Sequence, residues 1–241
     1  MSVLNIVSVA PELFNPNGDS ENARVLARRC GWSGIDARVV AVEEAGSIPE
    51  RLDVVVIGSC SDSRLSQARD VLLGLKPLLT AAMASGVPLL AVGNGLELLG
   101  GTLELADGGV LDGLGLIEAS SALRRSRATG ELVVDGDNGL LVGYENHARD
   151  LVTDGPSLGR VLAGAGNGAG SEGLVHGSLY GTHLHGPVLA KNPELADRLL
   201  RTAAQRAGLE YRPSAMTNAA DAHAAAARES ILGAIRIAGR D

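Results

Sequence analysis

The chain has 241 residues, 45% of them hydrophobic but only 2% aromatic, and a formal net charge of -7. That length allows one large domain with a substantial core. The acidic balance argues against nucleic acid and anionic membrane as main partners, because both need clustered Lys and Arg, and the single basic cluster, Arg124, Arg125 and Arg127, is short. Two cysteines, Cys30 and Cys60, make neither a disulfide framework nor a zinc signature. No basic region precedes the short apolar run Val3 to Ala10, and no segment has the length of a membrane span. A soluble cytoplasmic protein is therefore expected.

Apolar runs at 4–10 (LNIVSVA), 36–42 (DARVVAV), 52–58 (LDVVVIG) and 87–93 (VPLLAVG) alternate with helix-compatible stretches, notably Ser20 to Arg29 and Ser63 to Ser85. This alternation predicts a parallel sheet with right-handed crossovers, with ligands bound beyond the carboxyl ends of the strands. Three features converge on that edge: the loop after Ala10, Gly58-Ser59-Cys60, and Gly93-Asn94-Gly95. From about 110 to 185, short glycine-bounded runs such as GELVVDG and GLLVGYEN predict antiparallel or mixed strands added to the same sheet. Within them GAGNGAGSEG, 164–173, is expected to be a mobile loop.

From Asn192 the chain turns helical: Pro193 and Glu194 suit a first turn, and Leu195, Leu199 and Leu200 supply an apolar stripe. After the linker RPSAMTN, an Ala-rich helix from about Ala219 to Ile237 is expected to dock through Ile231, Leu232 and Ile235. The predicted architecture is a single α/β domain over 1–205, a mixed but mostly parallel sheet flanked by helices. Residues 206–241 form a linker and a C-terminal helix packed on that domain or extending it.

The segment PLLAVGNGLELLG, 88–100, has the form of a nucleophile elbow: an apolar strand, a glycine pair flanking one residue, and a helix-forming stretch. Such a turn holds one side chain at a strained tip, above helix-terminal N–H groups that stabilise an oxyanion. Here the tip is Gly93, and a plain tight turn accounts for the same glycines. The pattern lacks both the Lys-Ser/Thr of a phosphate-binding loop and GxGxxG spacing. His185 ends a strand-like segment just before Gly186-Pro187. Asn94 and Glu97 read as a helix-start turn and a solvated helix face, with binding of a polar ligand as the other reading. His147, His176, His183 and His223 read as structural. Glu194 either orients His185 or offsets the charge of a helix start.

Taken together, the elbow and the run YGTHLHGPVLAKNPELADRLL, 180–200, resemble class I glutamine amidotransferases of the cobyric-acid-synthase-like branch, above all the glutaminase subunits of lipid II isoglutaminyl synthases. Further pieces follow in the family's order: NGDSEN (17–22), IGSCSD (57–62), RATGEL (127–132), GYENH (143–147) and GAGN (164–167). The resemblance covers about residues 4–205 and implies the single-domain, flavodoxin-like fold of those enzymes.

What the resemblance implies is ammonia supply. A cysteine thiolate at the elbow attacks the amide carbon of glutamine, a histidine relays protons, and ammonia passes to an ATP-dependent, Mur-ligase-like synthetase partner. His185 matches the family's histidine, Gly58 and Ser59 its oxyanion loop, and Arg127 an arginine near the substrate entrance. Gly93 stands at the nucleophile position, Asn94 where glycine is usual, and Leu96-Glu97 where an aromatic residue and Gln are usual.

The expectation is a degenerate, non-catalytic subunit with a vestigial His185 and Gly58, Ser59, Asn94 and Arg127 around a site for glutamine or another amine donor, with no cofactor and no metal. The alternative is an active glutamine hydrolase with a substitute nucleophile, Cys60, or less favourably Ser59 or Ser61, supplying ammonia to amidate a glutamate carboxyl of lipid II or a specialised metabolite.

Overall fold

The computed structural model describes residues 3–137 and 139–238, with side chains up to Ile235. The four apolar runs of the first hundred residues become β1 (Leu4–Val9), β2 (Ala37–Val42), β3 (Val54–Ile57) and β4 (Leu89–Val92), with α1 (Glu21–Trp32) between β1 and β2. The helical stretch expected from Ser63 to Ser85 is two helices, α2 (Leu65–Gly74) and α3 (Lys76–Ala84), because Pro77 opens a new first turn directly after Gly74 and Leu75. After β4 come a one-turn helix α4 (Asn94–Glu97), β5 (Thr102–Glu104), β6 (Val110–Asp112), β7 (Ser120–Gly136), β8 (Gly139–Val152), β9 (Gly159–Ala163), β10 (Ser171–Glu172), β11 (Leu174–His176) and β12 (Leu179–Thr182). Three helices finish the described chain, α5 (Val188–Lys191), α6 (Pro193–Arg206) and α7 (Ala215–Ala238).

The first sheet has the order β11-β12-β4-β3-β1-β2, parallel throughout except for the terminal β11/β12 pair. Both faces of its central strands β1, β3 and β4 are buried, while the edge strand β2 is largely open. Alternate residues of each strand feed two apolar clusters: Val7, Val55, Leu89 and Ala91 lie with α2 and α3, while Ile6, Val56, Leu90 and Val92 lie with α1 and α6. Period-2 alternation over short Val- and Leu-rich strands explains how so few aromatics suffice.

The glycine-bounded strands do not extend this sheet as expected. Only β11 and β12 join it, and β5–β10 build a second, mixed sheet around β7 and β8. These two strands, of 17 and 14 residues, run through Gly130 and Gly143 and pair with each other along almost their whole length, so the pairing is satisfied locally. Alternation along β8 puts Glu145, His147, Arg149 and Leu151 on one buried face. Three of those four side chains are polar, and they face the carboxyl end of β4.

The C-terminal helix begins earlier than expected and is fastened mainly by charge. Asp221 accepts from the Arg29 guanidinium at 2.6 Å and Arg228 pairs with Glu194 at 2.8 Å, whereas Ile231, Leu232 and Ile235 are only half-buried. The side chain of Ile237 lies outside the described residues. Among the described residues no helix is long and apolar enough to cross a membrane.

Candidate functional site

The turn between β4 and α4 has the backbone of an elbow. Gly93 has φ 55° and ψ −130°, a conformation that a side-chain-bearing residue holds only under strain. Its N–H donates to the Thr182 carbonyl of β12 at 2.8 Å, and its carbonyl accepts from Leu96 and Glu97 at 2.9 and 3.1 Å. Two residues on, a Cβ at Gly95 would run into the Gly58 carbonyl, so this glycine lets α4 close onto the loop after β3.

Facing the tip is His185, 1% exposed and fixed by backbone hydrogen bonding with Tyr144 of β8. Its Nδ1 lies 3.0 Å from Asp19 Oδ2. The same carboxylate, wholly buried, accepts the Ser59 N–H at 3.1 Å and the Ser59 hydroxyl at 2.5 Å. The orienting carboxylate is therefore Asp19 and not Glu194, which is engaged by Arg228. Asp19 lies inside the NGDSEN piece, but the contact spans 166 residues of sequence and local reading does not find it.

His185 Nε2 has no partner. It sits where the tip's side chain would project: a Cβ on Gly93 would lie 2.8 Å from His185 Cε1, 3.3 Å from Nε2 and 3.0 Å from Ser59 Cβ.

Asn94 turns inward and holds the neighbouring loop at two points. The Cys60 N–H donates to Asn94 Oδ1 and Asn94 Nδ2 donates to the Cys60 carbonyl, each at 2.7 Å. The Cys60 side chain belongs to the apolar core, and burial, with Asp62 nearby, pushes its thiol up to about 12. At physiological pH Cys60 is a neutral thiol.

A cavity of about 330 Å³ opens in front of these groups, bordered by Asn17, Ser59, Cys60, Ser61, Asn94, Arg127, Arg149 and His185 among others, and Gly58 is not among its lining residues. Arg127 stands half-exposed at its mouth, donating to Asn146 Oδ1 at 2.8 Å and paired with Asp62. Asn146 links onward to Asn17 at 3.3 Å, and Asn17 Nδ2 donates to Ser59 Oγ at 3.0 Å.

Beneath the cavity lies a buried ionic cluster that sequence reasoning missed. Glu97, expected on a solvated helix face, is 1% exposed and accepts from Arg149 Nε at 2.5 Å, while Arg149 Nη2 donates to Asp62 at 2.7 Å. A single helical turn has no amphipathic pattern from which to read its inner face. Burial opposes charge on Glu97, yet His183 and Arg149 outweigh it and hold the carboxyl below its usual range. His183 lies 3.3 Å from Glu172 and 3.8 Å from Glu97. Burial works against its protonation too, but the two carboxylates prevail and push it up to about 10.

His147 stacks on His183 with ring centroids 4.2 Å apart, and its Nε2 meets Glu145 at 3.1 Å. The expected mobile loop at 164–173 is tied into this cluster. Glu145 accepts the Ala165 and Gly166 N–H groups at 2.8 and 3.0 Å, and Asn167 makes two hydrogen bonds to the Gly173 backbone. The glycine-rich composition suggested freedom, but these carboxylate and amide side chains close the turn.

Among the described residues no three His, Cys, Asp or Glu side chains are grouped as a metal ion would require. The arrangement supplies a carboxylate-oriented imidazole, an elbow-like backbone turn with glycine at its tip, and a polar cavity.

The sequence profile of the CobB/CobQ-like glutamine amidotransferase domain matches residues 5–193. The chain is similar to the GatD subunit of lipid II isoglutaminyl synthase (glutamine-hydrolyzing) of Staphylococcus aureus, 33% identical with 93% of this chain and 94% of the relative covered. It is also similar to the subunit of the same name from Streptococcus pneumoniae, at 28% identity over 84% and 81%. In fold it resembles the crystal structure of a glutamine amidotransferase from Thermotoga maritima, with a TM-score of 0.53 at 12% identity, covering 98% of this chain and 96% of that one.

Proposed function

The chain belongs to the CobB/CobQ-like glutamine amidotransferase family, and within it we propose that the protein is a subunit that has kept the glutaminase scaffold and lost glutamine hydrolysis. The observation that carries this reading is the tip of the elbow. Gly93 has the backbone angles of a nucleophile position and lies against a buried imidazole whose Nε2 has no partner, but it supplies no sulfur or oxygen. Without a covalent nucleophile no thioester forms, and such a loss removes several orders of magnitude of rate. His185 and Asp19 are then the remains of a proton relay. Ser59, Asn94 and Arg127 border a site that takes glutamine or another amine donor as a ligand rather than a substrate, and Gly58 lies behind it against Phe14 and Asp19.

The partner in this reading is an ATP-dependent amide-forming synthetase of the Mur-ligase type, which the subunit stabilises or regulates. The relatives' names, as subunits of a glutamine-hydrolyzing synthase, support a partnership. Dependence on ATP makes the location cytoplasmic. The alternative, hydrolysis through Cys60, has against it the core position of that side chain and a thiol pushed up to about 12.

The test is co-expression with a Mur-ligase-type synthetase from the same organism. A stable heteromer on size-exclusion chromatography with light scattering is expected, together with a synthetase activity that runs on ammonium chloride and not on glutamine. A synthetase that never co-elutes, or that is driven by glutamine, would overturn the reading.

A further inference from the structure

We propose that Asn94 is a second lock on this site, independent of the missing nucleophile: its side-chain carbonyl occupies the backbone donor that an oxyanion would need. This rests on the reading of Gly93 as the nucleophile position and of residues 57–62 as the oxyanion loop. Acyl chemistry at the elbow would create a negative oxygen within about 2.7–3.1 Å of preorganised N–H donors. The Cys60 N–H has Asn94 Oδ1 at 2.7 Å, within that range. The amide's other end returns to the Cys60 carbonyl at 2.7 Å, so the side chain cannot rotate away without breaking two hydrogen bonds.

The clamp is buried. Asn94 is 8% exposed, and the loop is pressed onto α4 at Gly95 and Gly58. Nor does the adjacent residue offer a replacement donor, since the Ser59 N–H is already given to Asp19 at 3.1 Å. Both loop amides that face the elbow are thus spoken for by side chains. A glycine in place of Asn94 would release Cys60 and leave Ser59 bound.

It follows that supplying a thiol alone does not restore hydrolysis. In the restored reaction the thiol would give its proton to His185 Nε2, and its sulfur would bond to the amide carbon while the carbonyl π pair moved to oxygen. Collapse of that oxyanion would expel ammonia, which takes the proton from His185, and water would then cleave the thioester to glutamate and the free thiol. Every stage that carries the oxyanion would lack the loop donor that Asn94 holds and be left with the N–H groups at the start of α4. Losing one such donor characteristically costs about 10²–10³ in rate.

The experiment compares the full-length wild type, Gly93→Cys, Asn94→Gly and the double variant, each checked for a cooperative melt. Glutamate release from glutamine and the mass shift of the elbow thiol with iodoacetamide are both measured. In Gly93→Cys the thiol is expected to be alkylated while hydrolysis stays at the wild-type level, and the double variant is expected to exceed it by about 100-fold. If Gly93→Cys hydrolyses as fast as the double variant, or if the double variant stays as slow as Gly93→Cys with its thiol reactive, the lock is disproved.

Should the cysteine variants fail to fold, the clamp itself remains measurable. Hydrogen exchange of the Cys60 amide should quicken at least tenfold in Asn94→Gly, and unchanged exchange would count against the proposal. Hydrolysis by the wild type would instead remove the reading of Gly93, a separate failure.

Discussion

Arg29 of α1 joins Asp197 of α6 and Asp221 of α7, with the Tyr211 hydroxyl donating to the same Asp197. Arg149 of β8 joins Glu97 of α4 and Asp62 of the loop after β3, beside His183 and Glu172. Both networks bury a guanidinium between carboxylates from remote segments, yet they differ in how they close. In the first, no buried polar side-chain atom lacks a hydrogen bond, whereas in the second Glu97 Oε1 and His183 Nε2 make none and only face each other as an ion pair at 3.8 Å, with His185 Nε2 also without a hydrogen bond nearby. Buried polar atoms are almost always satisfied in folded proteins, so a cluster of exceptions at one cavity marks a place shaped by something other than stability. The Arg29 network is a fastener, and the cluster below Gly93 is the candidate site.

That contrast can be broken by measurement. The largest effect is expected from Arg29→Ala, which leaves the buried Asp197 with only the exposed Arg201 at 3.7 Å as a cation. Stability to urea should fall by about 3–5 kcal/mol, and a loss within 1 kcal/mol or so would show that the apolar packing of α7 suffices without the fastener. Glu97→Gln should cost less, about 1–3 kcal/mol, because the amide oxygen still accepts from Arg149 and Asp62 still balances it. A loss as large as that of Arg29→Ala would make the two networks equivalent and remove the distinction.

The pH dependence sharpens the comparison further. His183 is raised from 6.5 to about 10 in the folded chain, so its contribution is complete below the unfolded value and is lost as pH rises through the folded one. Thermal stability should therefore decline between pH 7 and 9, and His183→Gln should flatten that decline; an equal slope in both proteins would place the titration elsewhere. The smallest expected change concerns Cys60. With its thiol pushed up to about 12, iodoacetamide at pH 8 should leave it unmodified in the native chain and label it readily in urea. Rapid native labelling would revive it as a nucleophile.

How much of this was legible in the sequence follows from the reach of each signal. The parallel sheet was readable because Val- and Leu-rich runs such as 4–9 and 54–57 are buried on both faces and need no partner to be recognised. The sharp turn at Gly93 was readable because its glycine spacing is local, and the structure sets His185 beside it. The second sheet was not, since Gly130 looks like the start of the run GELVVDG but lies inside β7. Asp19, Glu97 and the Arg149 cluster were invisible for a different reason. Their roles arise from contacts across 166 and 52 residues, and each side chain taken alone looks like ordinary solvated charge.

Amide-labelled [15N]glutamine incubated with the purified chain, alone and with a Mur-ligase-type synthetase that co-elutes with it, tests the central claim most directly. The account predicts that 15N NMR shows no ammonium and no labelled amide product beyond the buffer control, with His185→Ala indistinguishable from wild type. Release of labelled ammonia that disappears in His185→Ala would contradict it.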